Sequence, residues 1–372
     1  MTSVWKRFGL GLVVIATASV SASGAPQMAE RDPLAPLPIP QQSAAPAYVP
    51  PAPASPAPIY LRNRVTELGR AFDGKAGVAI VSMRDGWEIG WNANSLFPQQ
   101  SCSKLWVAIT AMDAVDRGQI SLNDKVTLGR SDLTLFHQPL RAKILGKGDK
   151  TISLGSLLFN AITESDNTAN DKLMRSVGGP ERVREMIARK NLGAIRFYNG
   201  ERALQSRIAG LIWSPSYSIG NAFYQARSAL PASVRKAAFE RYISDPYDGA
   251  APHAVANALA RLKRGDLLSP ASSQRLLSIM GRTRTGHARV RAALSPGWKW
   301  NHKTGTGQDF KGQIGGINDI GLLSAPDGTV YAVAIMSVPR NNSDGDAQKL
   351  MQQVAKAVIA QHTMRYGAVA QR

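Results

Sequence analysis

Apolar and polar positions alternate along the chain in patterns that change period twice. Residues 61–72 carry apolar residues on one helical face and predict a short amphipathic helix. Residues 77–82 (Gly-Val-Ala-Ile-Val-Ser) form a continuous apolar run of strand length, the pattern of a buried strand. After the turn Arg84-Asp85-Gly86, residues 87–91 alternate large apolar with polar side chains and predict its hairpin partner. From Ser101 the period becomes helical, with Leu105, Ile109, Met112 and Val115 at three- and four-residue steps. Helical segments are predicted to about Met280. Two strands then follow, over 318–325 and 329–338, across the turn Pro326-Asp327-Gly328, and a last helix over 346–361. Strands at both ends with helices between them predict an α/β (α+β) class. The expected architecture is an antiparallel sheet built from both termini, with flanking helices on it and an all-helical lobe inserted between. A cleft between lobe and sheet is the expected place for a site.

The first residues are patterned differently. Lys6 and Arg7 precede an apolar run from Phe8 to Ala16 and then small residues, the order of a secretory signal. That run is shorter than the ~20 residues a bilayer span needs. Residues 1–25 are therefore expected to be an export signal, placing the mature protein in the periplasm or outside the cell. Residues 26–59 are rich in Pro and Ala; proline removes backbone donors and fixes φ, so this stretch is expected to be a disordered, extended linker. The folded domain is expected over 60–365, with a tail at 366–372.

The formal net charge of +19 suits association with anionic polymers or head groups of a cell envelope. The positive residues are scattered and match no nucleic-acid-binding motif, so nucleic acid is not expected as a partner. Cys102 is the only cysteine, which excludes an intrachain disulfide. The histidines never fall at metal-ligand spacing, and neither a metal nor another cofactor is expected.

Candidate chemistry begins at Ser101-Cys102-Ser103-Lys104. Residues three apart at a helix N-terminus share a face, so the Lys104 amine can reach the Ser101 hydroxyl. Serine is a weak nucleophile until a base takes its proton, and a lysine among other cations can serve. The same spacing recurs at Ser3 to Lys6 and Ser233 to Lys236, so the pattern alone carries little. What distinguishes the Ser101 copy is Ser165-Asp166-Asn167 after it and Lys303-Thr304-Gly305 just before the C-terminal strands. The three motifs, in this order, form a known signature of penicillin-recognising serine enzymes. Ser165 can pass a proton to a leaving nitrogen, and Asn167 can orient a substrate amide and Lys104. Lys303 and Thr304 can hold a substrate carboxylate. Gly305 is expected to let substrate lie close along a strand edge.

From about Arg62 to His362 the chain resembles the class A serine β-lactamases, through these motifs and through segments such as 113–122, Gly178-Gly179-Pro180 and Asn318-Asp319-Ile320. The resemblance implies an oxyanion hole made by the backbone N–H groups of Ser101 and Thr306. It also implies a glutamate base for deacylation, for which Glu201 in Glu201-Arg202-Ala203-Leu204-Gln205 stands at the expected spacing; Gln205 replaces the customary asparagine. Glu164 is a weaker candidate. Phe136 falls where the family has an aromatic residue at the cleft mouth, and Arg340 is the candidate for an auxiliary arginine. Around 206–249 the chain is longer than the family pattern, and the aromatic residues of this insertion are expected to pack. The activity implied is opening of β-lactam rings, by a monomer acting on a small-molecule substrate. The alternatives are a D-alanyl-D-alanine peptidase acting on peptidoglycan stem peptides, or an envelope sensor acylated once. The base that activates Ser101, Lys104 or Glu201 through a water, is left open.

Overall fold

A computed structural model describes residues 55–341 and 344–367. The expected export signal and most of the 26–59 linker lie outside the described residues. The chain enters through helix α1 (Ile59–Ala71) and then forms β1 (Gly74–Ser82) and β2 (Glu88–Trp91). Far along the chain come β3 (Lys299–Thr306), β4 (Ile317–Ser324) and β5 (Val330–Pro339), and a long helix (Asp344–Tyr366) ends the described chain. The five strands make one antiparallel sheet in the order β2-β1-β5-β4-β3, so β1 from the N-terminal part lies beside β5 from the C-terminal part.

Side chains alternate across each strand, and that splits the core into two layers. Val78 and Ile80 of β1 join Val333 and Ile335 of β5 beneath α1 and the C-terminal helix, where Leu61, Met351 and Val354 meet them. Ala79 and Val81, with Ala332, Ala334 and Met336, face the opposite way into the helical lobe. Both faces being covered explains why β1 reads as an unbroken apolar run.

Four of the lobe's helices position the site: α2 (Lys104–Asp116), α3 (Asn167–Ser176), α4 (Glu201–Ile208) and, further on, Pro252–Arg264 packed under the sheet. Every residue of α2 from Lys104 to Ala114 is buried, so this helix runs through the middle of the lobe instead of along its surface. Its sequence period marked one apolar face, yet Trp106, Val107 and Ala111 on other faces are just as buried. A helix apolar all round is a core helix.

The segment around 206–249 folds as two helices, Ala222–Ala229 and Ala232–Ser244, which follow α4. Most of its aromatic residues pack, while Tyr224 is exposed. Phe239, Tyr242 and Tyr247 cluster with Leu204 and Ile208 of α4, while Phe223, Trp213 and Tyr217 cluster with Leu135 and Ala209. After β3 the chain makes a short hairpin, Asp309–Phe310 against Gln313–Ile314, and Phe310 lies 5.9 Å from Phe239, ring to ring. Among the described residues no helix is long and apolar enough to cross a membrane.

Candidate active site

Ser101 sits in a 3-10 turn (Gln100–Ser103) that leads directly into α2. Lys104, the first residue of α2, is fully buried, and three acceptors surround its amine. Nζ donates to Ser101 Oγ at 2.6 Å, to Asn167 Oδ1 at 2.8 Å and to Glu201 Oε1 at 2.6 Å. A buried ammonium is costly unless paired and hydrogen-bonded; here the Glu201 carboxylate supplies the counter-charge. One side chain thus joins the nucleophile to the Ser165-Asp166-Asn167 motif and to the Glu201 segment.

Asp166 is the residue of its motif that builds instead of reacting. Its carboxylate accepts from Ala169 N at 2.8 Å, capping α3, and from Leu140 N at 2.7 Å. Ser165 and Asn167 flank that anchor. Ser165 adopts φ 58°, a left-handed conformation uncommon outside glycine, and its Oγ accepts from Lys303 Nζ at 2.9 Å. The Asn167 amide, besides accepting from Lys104, donates to Leu135 O at 2.9 Å.

Lys303 and Thr304 come from β3, the edge strand facing the lobe. Burial first, and the nearby Lys104 ammonium second, lower the Lys303 amine to about 7. Gly305 also has a reason within the fold. A Cβ there would stand 2.4 Å from Gln99 O and 3.2 Å from Cys102 Sγ, so the missing side chain lets β3 press against the turn that carries Ser101. This contact brings Thr306 beside the nucleophile's segment. Cys102 fills the same seam; burial pushes its thiol up to about 12, leaving it protonated at neutral pH.

Glu201 opens α4 and is buried, with its backbone N donating to Asp171 Oδ1 at 2.8 Å. Its Oε2 accepts from Gln205 Nε2 at 3.2 Å, one helical turn on. The Gln205 amide also reaches Gln100 Oε1 at 3.3 Å and is itself held by Gln308 Nε2, 3.0 Å from its Oε1. So the glutamine at this position lies against the candidate base and ties it to the hairpin after β3.

Four participants, Asp171, Arg289, Tyr242 and Asp248, were not found from the sequence. Asp171 lies four residues after Asn167, on the same face of α3, so helical spacing was the signal for it; burial, and then the charge of Glu201, raise its carboxyl to about 6. Arg289 donates to Gly305 O at 3.1 Å, Asn318 O at 2.7 Å and Thr306 Oγ1 at 2.6 Å, which makes it the arginine bordering β3. Gln308 clamps Gln205. Tyr242 and Asp248 reach Gln100, the residue before the nucleophile: Asp248 Oδ2 accepts from Gln100 N at 2.8 Å, and Tyr242 OH accepts from Gln100 Nε2 at 2.8 Å. No local pattern marks these last two, because their partner is more than a hundred residues away.

Two expectations are corrected. Arg340 follows the last residue of β5 and pairs with Asp73 beside the start of β1, two strands in from β3 and its motif. Glu164 points outward to Arg284, 2.6 Å away, and takes no part in the cluster around Lys104. Phe136, with φ 58°, packs edge-on against Phe223 of the insertion at 5.1 Å. The chain on either side of it is pinned to Asn167, through Leu135 O and His137 O. It therefore joins the insertion to the site and does not stand free.

A family model described as the β-lactamase enzyme family matches residues 60–362. Among curated relatives, the β-lactamase SME-1 of Serratia marcescens is 24% identical over 298 residues, covering 80% of this chain and 87% of its own. A β-lactamase of Proteus vulgaris is 26% identical, covering 80% and 93%. Among solved structures, a β-lactamase from Chitinophaga pinensis aligns with TM-score 0.67 and 25% identity over 81% of this chain and 98% of its own. An ancestral class A β-lactamase aligns with TM-score 0.65 and 27% identity, over 81% and 99%.

Proposed function

The chain belongs to the β-lactamase enzyme family, and from that premise we propose that it opens β-lactam rings by way of an ester on Ser101. The observation that carries this reading is the amine of Lys104, within hydrogen-bond reach of Ser101 Oγ, Asn167 Oδ1 and Glu201 Oε1 together. In the first step the Ser101 proton passes through a water to Glu201, or to Lys104 once Lys104 has given a proton to Glu201, and Oγ bonds to the ring carbonyl carbon. Negative charge collects on the carbonyl oxygen, where the N–H groups of Ser101 and Thr306 would receive it; a donor of this kind is worth about 3 kcal/mol in acyl transfer. The C–N bond then breaks, the nitrogen takes the Ser165 hydroxyl proton, and the proton taken from Ser101 is relayed to Ser165, with Lys303 hydrogen-bonded to that hydroxyl, so that Glu201 is a carboxylate again. Lys303 and Thr304 hold the substrate carboxylate. In the second step Glu201 takes a proton from water, the resulting hydroxide attacks the ester carbonyl, and Ser101 leaves with the proton returned to it. Asn167 and Gln205 orient the amide and the water.

Intact mass measured after mixing with excess penicillin tests the reading. A transient adduct on Ser101 that disappears as penicillin is consumed is the expected result. With Glu201→Ala, turnover is expected to fall roughly 10²–10⁴-fold, the usual worth of a general base, while the adduct persists. A stable adduct in the wild type would mark a penicillin-binding peptidase or sensor, and no adduct at all would end the β-lactam reading.

The same reading extends to the chain ends. Residues 1–25 direct export, residues 26–59 space the domain from the envelope, and the basic surface favours contact with its anionic polymers. The mass of the protein recovered from the periplasm of an expressing cell checks this; an uncleaved or cytoplasmic product argues against it.

A further inference from the structure

Where the inserted helices meet the hairpin after β3, the described residues form an open cavity of about 150 Å³. Arg227, Arg235 and Lys311 line it, and Phe239 and Phe310 give it an apolar wall. Among the described residues none of these three cations has a carboxylate partner. Arg227 lies over the Phe223 and Tyr224 rings, and Lys311 over Phe310. Arg235 Nε is buried with no hydrogen-bond acceptor, an arrangement that costs free energy until an acceptor arrives. Asp309, the one carboxylate among the lining residues, is exposed.

Three converging cations beside two phenyl rings are complementary to a compact anion on an apolar stem. The cavity also shares a wall with the reaction cleft. Gln308 lines it and donates to Gln205, which donates in turn to Glu201.

We propose that this cavity is a subsite for a second acidic group on the substrate, a carboxylate carried by an aromatic or alkyl acyl side chain. Arg235 and Lys311 hold the carboxylate, and Phe239 and Phe310 pack the stem. The proposal deepens the hydrolase reading and rests on it for the molecule that carries the anion.

Calorimetric titration of the purified protein at low salt with benzoate, benzamide and inorganic phosphate tests it, beside Arg235→Gln and Lys311→Gln. Lys311 is exposed, so its substitution keeps the test available even if the Arg235 variant does not fold. Benzoate is expected to bind and benzamide not. Each substitution is expected to weaken benzoate roughly tenfold, equivalent to about 1.4 kcal/mol, and added salt to weaken it further. A second readout is selectivity: kcat/KM for a benzylpenicillin bearing a side-chain carboxylate, divided by kcat/KM for benzylpenicillin itself. That ratio is expected to fall roughly tenfold in both variants. Benzoate bound equally by wild type and variants, or benzamide bound as tightly as benzoate, overturns the proposal. Phosphate bound more tightly than benzoate assigns the cavity to a free inorganic anion and overturns it too. An unchanged ratio despite lost benzoate binding overturns the link to substrate. The titration needs no turnover, so a protein that binds benzoate yet hydrolyses neither penicillin counts against the hydrolase reading alone.

Discussion

Lys303 is enclosed with a second ammonium, Lys104, close enough to lower its own, and among the described residues its Nζ donates only to the Ser165 hydroxyl and to the Thr304 carbonyl. With an amine lowered to about 7, the charge that would grip a substrate carboxylate is lost as pH rises through neutrality. On the free-enzyme profile, kcat/KM is therefore expected to fall above pH ~7. The saturated rate should hold to higher pH, because a bound carboxylate favours the charged amine. In Lys303→Arg, whose guanidinium stays protonated, the alkaline limb attributable to this residue should vanish whatever activity remains. A wild-type kcat/KM that is flat from pH 6 to about 9 would remove Lys303 from carboxylate binding. The motif letters marked this residue; its altered amine could not be read from them, since Lys104 and Lys303 become neighbours only when α2 and β3 meet.

Helix α4 is placed by its first turn. Gly200, just before it, has φ 85° and ψ 179°, a region that essentially glycine alone occupies. A Cβ there would also lie 2.7 Å from Met174 Cε and 2.9 Å from Asp171 Oδ1. Asp171 accepts from the backbone N of both Glu201 and Arg202, so α3 carries the acceptor that aims α4's glutamate at Lys104. Gly200→Ala is expected to lower stability by about 1–3 kcal/mol through backbone strain. It should also slow release of the acyl group more than its formation, because Asp171 must move and Glu201 with it. Denaturant unfolding and single-turnover mass kinetics measure the two effects. Equal slowing of both steps would show that α4 does not serve deacylation in particular. From the sequence, Glu201 was found through its spacing to Ser165 within a familiar pattern. Its support was less visible, because Asp171 reads as one more polar residue of an amphipathic helix until α4 is seen to start on it.

Across the whole molecule, Asp248 ties the inserted segment to the nucleophile. Its carboxylate accepts from Gln100 N and from Tyr242 OH, and its carbonyl accepts from Gln99 Nε2, yet no cation reaches it among the described residues. Gln100 in turn has φ 54° immediately before Ser101, so this buried acid helps to hold a left-handed residue in place. Burial raises the Asp248 carboxyl from 3.8 to about 7. A folded value above the unfolded one means that its contribution to stability is complete below pH ~3.8 and is lost as pH rises through about 7. In Asp248→Asn, which cannot ionise, the melting temperature relative to wild type should therefore climb with pH between about 4 and 7 and level off above. A difference that stays constant across that window would mean Asp248 carries no such shift. The same variant should also lower the acylation rate, since the turn bearing Ser101 loses an anchor.

The sequence by itself determined most of the elements, though not strand β3, and named the candidate reacting groups. Period-2 and period-3.6 patterns placed the strands at both ends and the helices between, because side-chain alternation is local. The three motifs named Ser101, Lys104, Ser165, Asn167, Lys303 and Thr304, because each is a short run whose spacing is itself the chemistry. The tertiary structure decided what depends on packing between distant segments. It set α2 as a core helix, assigned Gly305 to the β3 seam and Arg289 to its border, and stationed Arg340 two strands away beside Asp73. It also made Asp248 and Tyr242 neighbours of the nucleophile, through contacts spanning well over a hundred residues that no window along the chain contains. Burial and like charge, which move the Lys303, Asp171 and Asp248 protons, are properties of those enclosures and not of the residues that enter them.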